Sequence, residues 1–398
     1  MRIFVLHNSY RCALSGEDEV AAAEGDLLQS KGHAVFRYHV SSESIGRNVS
    51  EASAAVGAFW NSGTYRELRL LFSRLKPDIA HFHNIFPLIS PAAYYAARAE
   101  NVKVVQTLHN FRVLCASSMF YRRGSCCEDC LGRAVPLPAL AYACYRNSRR
   151  ASAVVAGMAW THRWAGTWRR AVDLYIALTR FSRRKFIEGG LPEDRIEVKP
   201  NFARDEAGMG SGRGGYALFV GRLSPEKGID LLLEAWRRLD MPLKIAGDGP
   251  LSERVRESAL TMRHVEYLGR CGKPEIIALM QAAAFLVVPS LVYENFPVVI
   301  AEAFSVGLPV LGSAHGSMAE ILGEDRAGFT FRPGDAEDLA RKAAWILAAP
   351  AWLSAMRLRA RSAYLMKYNA EENYRQLMAL YERALGAPQI DYAPVLQE

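Results

Sequence analysis

The sequence lacks the features of a membrane-spanning or secreted protein. Among its 398 residues, no run approaches the roughly 18 uninterrupted apolar residues that a membrane-spanning helix needs. Met1 to Leu6 leads directly into a strand-like pattern, without a charged leader or a cleavage site. The seven cysteines are too few and too unevenly spread for a secreted disulfide framework. We therefore expect a cytoplasmic protein.

Acidic residues are fewer than basic ones. The chain has 41 Asp and Glu against 49 Lys and Arg, which gives a formal net charge of +8. This balance suits an anionic ligand or an anionic membrane surface, although an ordinary arginine-rich surface explains it equally well. Half of the residues are apolar, so the chain can bury large cores, and its length fits two or three domains.

Five of the cysteines lie close together in the sequence, at positions 115, 126, 127, 130 and 144. Cys127 and Cys130 have the Cys-x2-Cys spacing that is typical of zinc sites, and Cys115 and Cys144 would complete a set of four thiolates. The alternative is an insertion, over about residues 111–150, in which reduced thiols pack without a metal. The sequence leaves both interpretations open.

Short apolar runs alternate with helical patterns along the first half of the chain. The predicted strands are Arg2 to His7, Ala34 to Tyr38, Ile79 to His83, Lys103 to Leu108 and Leu174 to Leu178. This alternation predicts an α/β fold with a parallel, doubly wound sheet. Ligands bind beyond the carboxyl ends of the strands in such sheets, so we expect Gly16, Asn84 and His109 at the functional edge. Asp18 is predicted to cap the helix that runs to Lys31.

A glycine-rich stretch, residues 205–215, has the composition of an interdomain linker. A second series of predicted strands follows it: Tyr216 to Val220, Leu243 to Ala246, Val265 to Leu268, Ala284 to Val288, Val310 to Ser313 and Gly328 to Phe331. The chain therefore reads as two Rossmann-like domains, residues 1–204 and 205–365, that face one cleft. An amphipathic helical region runs from Asp335 to Leu385. Residues 366–398, which include the end of this region, are predicted as a separate C-terminal helical part.

Two glutamates flank the start of a predicted helix in the second half. The helix follows the buried strand that ends at Val288; Pro297 suits its first position and Gly307 its end. Glu294 precedes the helix and Glu302 lies within it. Because a helix N-terminus attracts phosphate and carboxylates accept hydrogen bonds from sugar hydroxyls, this arrangement suits a diphosphate flanked by two sugars.

Two cations are predicted at the same edge of the second sheet. Arg222 follows the strand that ends at Val220, and Lys227 opens the next helix. Arg can donate to two phosphate oxygens and Lys adds a point charge, so both suit the charge that develops on a leaving diphosphate. The turn Gly247-Asp-Gly-Pro250 follows the next strand.

These motifs resemble those of the retaining glycosyltransferases of GT-B type, family 4. The resemblance covers nearly the whole chain and is most specific at Gly221 to Gly228, Gly247 to Pro250 and Tyr293 to Val310, with Thr107 to Asn110 and Lys199 to Asn201 in the first half. It implies the GT-B architecture and a C-terminal helix that crosses back to the first domain.

The resemblance also implies roles for individual residues. Arg222 and Lys227 would bind the diphosphate, Glu302 the ribose, Glu294 the donor sugar and His109 a far hydroxyl of that sugar. The full set of implied donor-binding residues is Gly16, Arg222, Lys227, Gly247, Glu294, Asn295, Phe296, Val298 and Glu302, and the implied catalytic residues are His109, Glu294, Arg222 and Lys227. Asn295 and Pro297 stand where many members of the family have glycine.

The implied activity is transfer of a hexose from a nucleoside-diphosphate sugar to a glycan or lipid-linked acceptor, with retention of configuration. No Asp-x-Asp occurs, so a metal-independent enzyme without a catalytic cofactor is implied, and we expect no nucleic-acid partner. Two alternatives stay open. One is a catalytically silent nucleotide-sugar-binding protein. The other is a Rossmann-type oxidoreductase, against which the absence of Gly-x-Gly-x-x-Gly after the first strand argues.

Three tryptophans recur every fourth residue in a region rich in arginine. On one continuous helix, Trp160, Trp164 and Trp168 would form a single stripe, with Arg163, Arg169 and Arg170 nearby. Such a stripe is typical of a helix at a membrane surface, or of core and domain contacts. The sequence therefore favours peripheral membrane contact only as one of two interpretations.

Overall fold

The structure is a computed structural model that describes residues 1–10, 16–205 and 207–386. Its described residues contain fourteen strands. These are β1 (Arg2–Ser9), β2 (Ala34–Ser41), β3 (Ile79–Phe82), β4 (Lys103–Thr107), β5 (Tyr121–Arg122), β6 (Ser125–Cys126), β7 (Leu174–Ala177), β8 (Ile196–Val198), β9 (Ala217–Val220), β10 (Leu243–Ala246), β11 (Val265–Gly269), β12 (Phe285–Val288), β13 (Val310–Ser313) and β14 (Gly328–Phe331).

Helices fill the segments between the strands. They are α1 (Gly16–Ser30), α2 (Glu51–Phe59), α3 (Ser62–Leu75), α4 (Ala92–Ala99), α5 (Leu137–Ala141), α6 (Arg149–Trp164), α7 (Thr167–Arg170), α8 (Arg180–Glu188), α9 (Ile229–Trp236), α10 (Ser252–Thr261), α11 (Lys273–Ala282), α12 (Val298–Ser305), α13 (Gly316–Asp325), α14 (Ala336–Ala348), α15 (Pro350–Ala363) and α16 (Ala370–Gly386). Within the described residues, no helix has both the length and the apolar content needed to cross a bilayer.

The chain forms two compact units. Unit 1 comprises Met1–Met119, Glu128–Lys199 and the described residues from Tyr374 onward, whereas unit 2 comprises Phe120–Cys127 and Pro200–Asn373. The change of unit at Lys199 lies five residues before the predicted boundary at 204. Part of the cysteine-rich insertion, which we placed in the first domain, belongs to unit 2, because Cys126 donates a hydrogen bond to the Leu291 carbonyl at 3.4 Å.

Unit 1 contains a parallel six-stranded sheet in the order β2-β1-β3-β4-β7-β8. Its strands are rich in apolar residues because helices cover both faces of such a sheet. The terminal helix α16 packs on this sheet, where Leu377 and Tyr381 join Ile3, Val5 and Ile79 in one core. The strand order reverses between β1 and β3, which is where a doubly wound sheet offers a ligand site.

Unit 2 contains a second parallel six-stranded sheet, in the order β11-β10-β9-β12-β13-β14. Counted from β9, this is the Rossmann order 3-2-1-4-5-6, and the order reverses between β9 and β12. The prediction of an α/β fold with two doubly wound parallel sheets is therefore confirmed. The loops that follow β9 and β12 carry Arg222, Lys227 and Glu294.

The predicted amphipathic region from Asp335 to Leu385 is not one continuous helix. It is divided into α14, α15, a π-helical turn over Tyr364–Tyr368, and α16. Pro350 starts α15 because its missing N–H and fixed φ suit the first turn of a helix. Asn369 accepts a hydrogen bond from the Glu372 N–H at 2.9 Å, which caps the start of α16.

The predicted tryptophan stripe is wrong. Helix α6 ends at Trp164, and Gly166 then adopts a φ of 72°, a left-handed conformation that interrupts the helix. Trp168 lies in the next helix and is buried, at 4% exposure, while Trp164 is 81% exposed. The three indoles therefore do not share one helix face.

Candidate functional site

The two loops at the reversal point of the unit 2 sheet lie against each other. Gly228 adopts a φ of 74°, and a Cβ at this position would overlap the carbonyl of Pro289, which follows β12. The Leu291 N–H donates to the Glu226 carbonyl at 2.9 Å. A glycine at 228 thus allows the loop after β9 to approach the loop after β12 closely.

Lys227 and Glu294 form an ion pair across these two loops. The Lys227 ammonium donates to Glu294 Oε1 at 2.6 Å, and the Ser290 hydroxyl donates to the same oxygen at 2.7 Å. Burial raises the pKa of Glu294, but Lys227, with smaller contributions from Ser290 and His315, outweighs burial and holds this pKa below its ordinary value. Glu294 is therefore an ionised carboxylate with one oxygen occupied by donors.

Glu302 is also paired with a lysine. It lies in the middle of α12 and is buried, and it accepts a hydrogen bond from Lys273, the first residue of α11. Glu294 and Glu302, which are eight residues apart, are thus each paired with a lysine from another segment of the chain. The sequence analysis did not identify Lys273 as a partner of Glu302.

Arg222 differs from these paired residues. It is exposed, and its guanidinium has no hydrogen-bond partner within the described part of the chain. The neighbouring Gly247 has its predicted place after β10, where a Cβ would overlap the Gly221 carbonyl. The Leu223 N–H donates to the Asp248 carbonyl at 3.0 Å. These contacts fix the loop that carries Arg222 while leaving its side chain available to an anion.

Helix α12 begins one residue later than predicted. Pro297 has a φ of −65° and a ψ of 116°, so it precedes the helix and Val298 is the first helical residue. The Phe296 ring is buried against Tyr368, 5.3 Å between centroids, which leaves only its backbone for a ligand. Asn295 is buried, and its Oδ1 accepts no hydrogen bond from the described residues. This oxygen is available as an acceptor beside Glu294.

His315 is a neighbour of Glu294 that the sequence analysis did not identify. It follows β13, and its Nε2 lies 2.9 Å from the Ser290 carbonyl, to which it donates. Burial lowers the pKa of His315, so the ring is neutral, and its Nδ1 lies 3.4 Å from Cys126 Sγ. The sequence feature that could have identified His315 is its position two residues after a predicted strand.

His109 lies in unit 1 and belongs to a buried histidine network. Its Nε2 is 2.9 Å from Nδ1 of His83, and His83 Nε2 is 3.7 Å from Glu24. Glu24 is paired with Lys199 at 2.5 Å. Burial, together with the neighbouring histidines and Lys199, holds the pKa values of His83 and His109 well below the ordinary histidine value. These rings are therefore neutral donors or acceptors rather than charges.

The acidic residues beside Gly16 have separate environments. Gly16 is the first described residue of α1. Asp18 does not cap this helix as predicted, because it lies within the first turn and its carboxylate is 2.6 Å from His7 Nε2. Glu17 accepts a hydrogen bond from Asn110 at 3.2 Å, and burial raises the pKa of Glu17 to about 7.

The described residues contain one set of three metal-ligating side chains with ligand atoms within 4.8 Å of one another: Glu24, His81 and His83. Both ring nitrogens of His81 have hydrogen-bond partners, Tyr381 and Thr107. The Lys199 ammonium donates to Oε1 of Glu24. This set is therefore a hydrogen-bonded network rather than a vacant ligand set. The sulfur atoms of Cys115, Cys127, Cys130 and Cys144 are not among these clustered ligand atoms. The zinc site at these cysteines stays a prediction.

Chemically, the unit 2 site combines an exposed guanidinium, an ammonium and two carboxylates next to a helix N-terminus. The cations can bind an anionic leaving group and stabilise the charge that develops on it. The carboxylates can accept hydrogen bonds from vicinal hydroxyls. A phosphorylated sugar needs both kinds of partner, cations for its phosphate and hydrogen-bond acceptors for its hydroxyls.

Both halves of the chain are similar to known glycosyltransferases. The family described as glycosyl transferases group 1 matches residues 210–363, and the one described as glycosyltransferase family 4 matches residues 57–206. An uncharacterized glycosyltransferase of Methanocaldococcus jannaschii is 31% identical over 163 residues, 40% of this chain and 46% of its own. The D-rhamnosyltransferase WbpZ of Pseudomonas aeruginosa is 32% identical over 168 residues, 41% of each chain. The chain thus spans less than half the length of these curated relatives.

Among solved structures, Anabaena HepE in complex with UDP superposes with a TM-score of 0.69 at 16% identity, over 96% of this chain and all of HepE. At this identity the likeness shows the fold. The two family matches together cover most of both halves of the chain, and the solved structure shares its fold. The chain therefore has the GT-B fold and is similar to glycosyltransferases in both halves.

Proposed function

We propose that the protein transfers a hexose from a nucleoside-diphosphate sugar to a glycan or lipid-linked acceptor, with retention of anomeric configuration and without a catalytic metal. The observation that carries this proposal is the contact between Lys227 and Glu294 at the reversal point of the unit 2 sheet. It joins a cation suited to the diphosphate and a carboxylate suited to the sugar. Arg222 supplies a second cation at the same edge.

The proposed donor site is a set of preformed partners. Arg222 and Lys227 would bind the diphosphate, and the charge on that group grows as the glycosidic bond to phosphate breaks. Glu302 would accept from the ribose, Glu294 and Asn295 from the hexose, with Gly247, Val298 and the Phe296 backbone around the phosphates. By the family resemblance, Gly16 and His109 of unit 1 are also assigned to the donor, His109 as a neutral hydrogen-bonding group. Retention would follow from attack on the face that the leaving group vacates, with a phosphate oxygen taking the proton of the acceptor.

The relatives support the choice of donor and acceptor class. HepE has been crystallised with UDP and with UDP-glucose, and the matched relatives include a D-rhamnosyltransferase and an amylovoran biosynthesis glycosyltransferase. We extend these properties to this chain as part of the proposal. A role in assembling a cell-surface glycan follows from them.

A thermal-shift screen tests donor binding. UDP, GDP and ADP are each added to the full chain, with NAD⁺ as the comparison ligand. A nucleotide present at 100 times its Kd stabilises the folded state by about 2.7 kcal/mol, which raises the Tm of a domain of this size by roughly 5–10 °C. A shift with one diphosphate and none with NAD⁺ is expected. The reverse result would favour the oxidoreductase.

Turnover separates the enzyme from a silent binding protein. The sugar form of the preferred nucleotide is incubated with candidate glycan acceptors, and both released diphosphate and the anomeric configuration of the product are measured. Release of diphosphate with a product of the donor's configuration supports the proposal, and an inverted product would refute retention. Tight diphosphate binding without any release from any of the sugars tested would favour the silent protein.

A further inference from the structure

A long segment of unit 1 carries no acidic residue. Residues 131–172 contain seven arginines and no Asp, Glu or Lys. The formal charge of the segment, with neutral histidine, is therefore close to that of the whole chain, +8. This segment comprises α5, α6 and α7 with their connections. The net positive charge of the protein is thus concentrated in about a tenth of its length.

Helix α6 presents both arginine and tryptophan to solvent along one side. Arg149, Ala153, Trp160 and Trp164 are its exposed residues on this side, and their spacings of 4, 7 and 4 residues place them on one face. Trp164 is 81% exposed and Trp160 is 43% exposed. Two exposed indoles on one helix face form an apolar patch, and such patches are typical of sites that bind a protein or a membrane.

Neighbouring helices add apolar surface. Helix α5 packs against α6 and exposes Leu137 at 63%. Helix α2 crosses α6 where a Cβ on Gly157 would lie 3.1 Å from the Phe59 ring, and it exposes Val56. We call the exposed side chains of Leu137, Arg149, Arg150, Trp160 and Trp164 the arginine–tryptophan face.

The charge of this face is not neutralised within the protein. Arg149 and Arg150 are exposed and form no ion pair with any residue that the structure describes. Arg163, by contrast, is used internally, since it donates to the carbonyls of Arg133 and Gly189. The outward-facing arginines are therefore available to an external anionic surface.

We propose that the arginine–tryptophan face docks on an anionic lipid bilayer. Indole rings prefer the headgroup region, where the ring is apolar and its N–H meets water, and arginines near such a surface gain about 1 kcal/mol each from anionic headgroups. The helices would lie on the bilayer and not cross it. This proposal does not depend on the proposed function; if both hold, the bilayer contact brings the enzyme to a lipid-linked acceptor.

A second copy of the chain fits this face less well. A symmetric contact would place the same patch on both partners, so Arg149 and Arg150 of one copy would face the same arginines of the other without an acidic complement from residues 131–172. Like charges brought together across an interface are unfavourable. An anionic bilayer supplies the missing negative charge and also accepts the indoles.

Sedimentation with vesicles tests the proposal on the full chain. We expect binding to phosphatidylcholine vesicles that contain 30% phosphatidylglycerol (about one lipid in three), little binding to pure phosphatidylcholine, and weakening as salt shortens the Debye length. The double substitution Arg149→Ser and Arg150→Ser should weaken binding about thirtyfold, since each arginine contributes roughly fivefold. Trp164→Ser should weaken it several-fold in the same assay.

Matched variants in unit 2 serve as controls. Leu260 in α10 is 81% exposed like Trp164, and Arg237 and Arg238 are an exposed adjacent pair, of which Arg238 contacts Glu234 at 3.5 Å. Leu260→Ser and the double Arg237→Ser, Arg238→Ser variant should bind vesicles like the parent. All these side chains are exposed, so unchanged Tm values are expected throughout.

Three results would overturn the proposal. Equal binding to anionic and neutral vesicles would remove the charge argument, and equal losses in the unit 2 controls would show a general effect of surface charge. A dimer in size-exclusion chromatography that Trp164→Ser dissociates, together with absent vesicle binding, would assign the face to a second copy. Brominated-lipid quenching of tryptophan fluorescence should in addition fall in Trp164→Phe while vesicle binding persists.

Discussion

Nζ of Lys227 lies 2.6 Å from Oε1 of Glu294, although the two residues are 67 positions apart in the chain. The carboxylate is the more buried partner, with 15% of its side chain exposed against 32% for the lysine. Removal of the lysine would leave a buried negative charge, and within the described residues the Ser290 hydroxyl would be its remaining hydrogen-bond donor. This asymmetry makes Lys227 the informative position for substitution.

Substitution of Lys227 by methionine should weaken diphosphate binding and depress turnover further, because the phosphate charge grows in the transition state. It should also destabilise unit 2 by about 1–2 kcal/mol at pH 7.5. In the parent, the pKa of Glu294 is below its ordinary value, so its stabilising contribution is present at neutral pH and lost as the pH falls through that pKa. In the variant, burial raises this pKa instead. The stability difference should therefore shrink towards pH 4, as measured by urea unfolding.

Lys244→Met is the control for this prediction. Lys244 is exposed to a similar extent and pairs with Glu266, but Glu266 is itself largely exposed. Its loss should change stability by less than about 1 kcal/mol at either pH. Equal destabilisation by both variants would show that Glu294 does not depend on Lys227.

Arg222→Ala should separate ligand binding from stability. Because Arg222 is exposed and its guanidinium has no partner in the described part of the chain, its loss should change the free energy of unfolding by no more than about 0.5 kcal/mol. Loss of a charge-assisted bond should weaken nucleoside-diphosphate binding roughly 10- to 100-fold, and turnover should fall further. Calorimetric titration and urea unfolding measure the two quantities. Unchanged affinity would remove Arg222 from the diphosphate site.

Glu294→Gln and Glu302→Gln should have different kinetic effects. Glu302 is assigned to the ribose, which does not change during reaction, so its substitution should weaken donor binding and leave saturated turnover less affected. Glu294 is assigned to the hexose, whose ring gains positive character. Glu294→Gln should lower turnover at saturating donor while diphosphate affinity stays close to that of the parent. Reversed effects would exchange the two assignments.

Lys273→Met is the structural comparison for Glu302. Lys273 pairs with Glu302 in the structure, so any part of the Glu302→Gln effect that arises from the lost pair should also appear in Lys273→Met. A donor-binding defect confined to Glu302→Gln would support direct contact with the ribose. Identical defects in both would show that the pair positions α11 instead.

Glu17→Gln should stabilise the protein at pH 8 and have little effect at pH 5. Burial raises the pKa of Glu17 to about 7, above its value in the unfolded chain, so the stability contribution of the protonated form is complete below about pH 4.5 and is lost as the pH rises through 7. The gain at pH 8 should be at most about 3 kcal/mol. Glu19→Gln, at an exposed position of the same helix turn, is the control variant. Equal effects of Glu17→Gln at both pH values would contradict the raised pKa.

Elemental analysis tests the zinc prediction. If Cys115, Cys127, Cys130 and Cys144 hold zinc, protein purified without chelator should contain one equivalent, and Cys127→Ser should lose it. Cys271, which lies outside the cysteine-rich segment, provides the control substitution Cys271→Ser. Metal at well below one equivalent would support the packed-thiol interpretation.

The strands of unit 2 could be predicted closely from the sequence, and the pairs within its site could not. Val310 to Ser313 and Gly328 to Phe331 were predicted at their observed bounds, because a strand buried on both faces is a short apolar run between turn residues. The pairing of Lys273 with Glu302, 29 residues apart, depends on how helices α11 and α12 meet after folding. No local sequence pattern predicts this contact.

Unit 1 was less predictable where its pattern depends on tertiary contacts. Helices α2 and α3 were not predicted, since α2 is short and gains its stability by packing on α6. The tryptophan spacing suggested one helix face, but Gly166 divides it, and a single glycine does not by itself show that a helix ends there. His109 was predicted at the functional edge because it follows β4, while its contact with His83 required the fold.

The path of the chain through its two units has a consequence for truncation. The chain passes between unit 1 and unit 2 four times, after Met119, Cys127, Lys199 and Asn373. A deletion that starts at Tyr374 would therefore leave unit 2 intact in sequence yet remove Leu377 and Tyr381 from the core of unit 1. Limited proteolysis near the carboxyl end should accordingly expose new cleavage sites in the amino-terminal third of the protein, and neither unit can be produced as one uninterrupted piece of the gene.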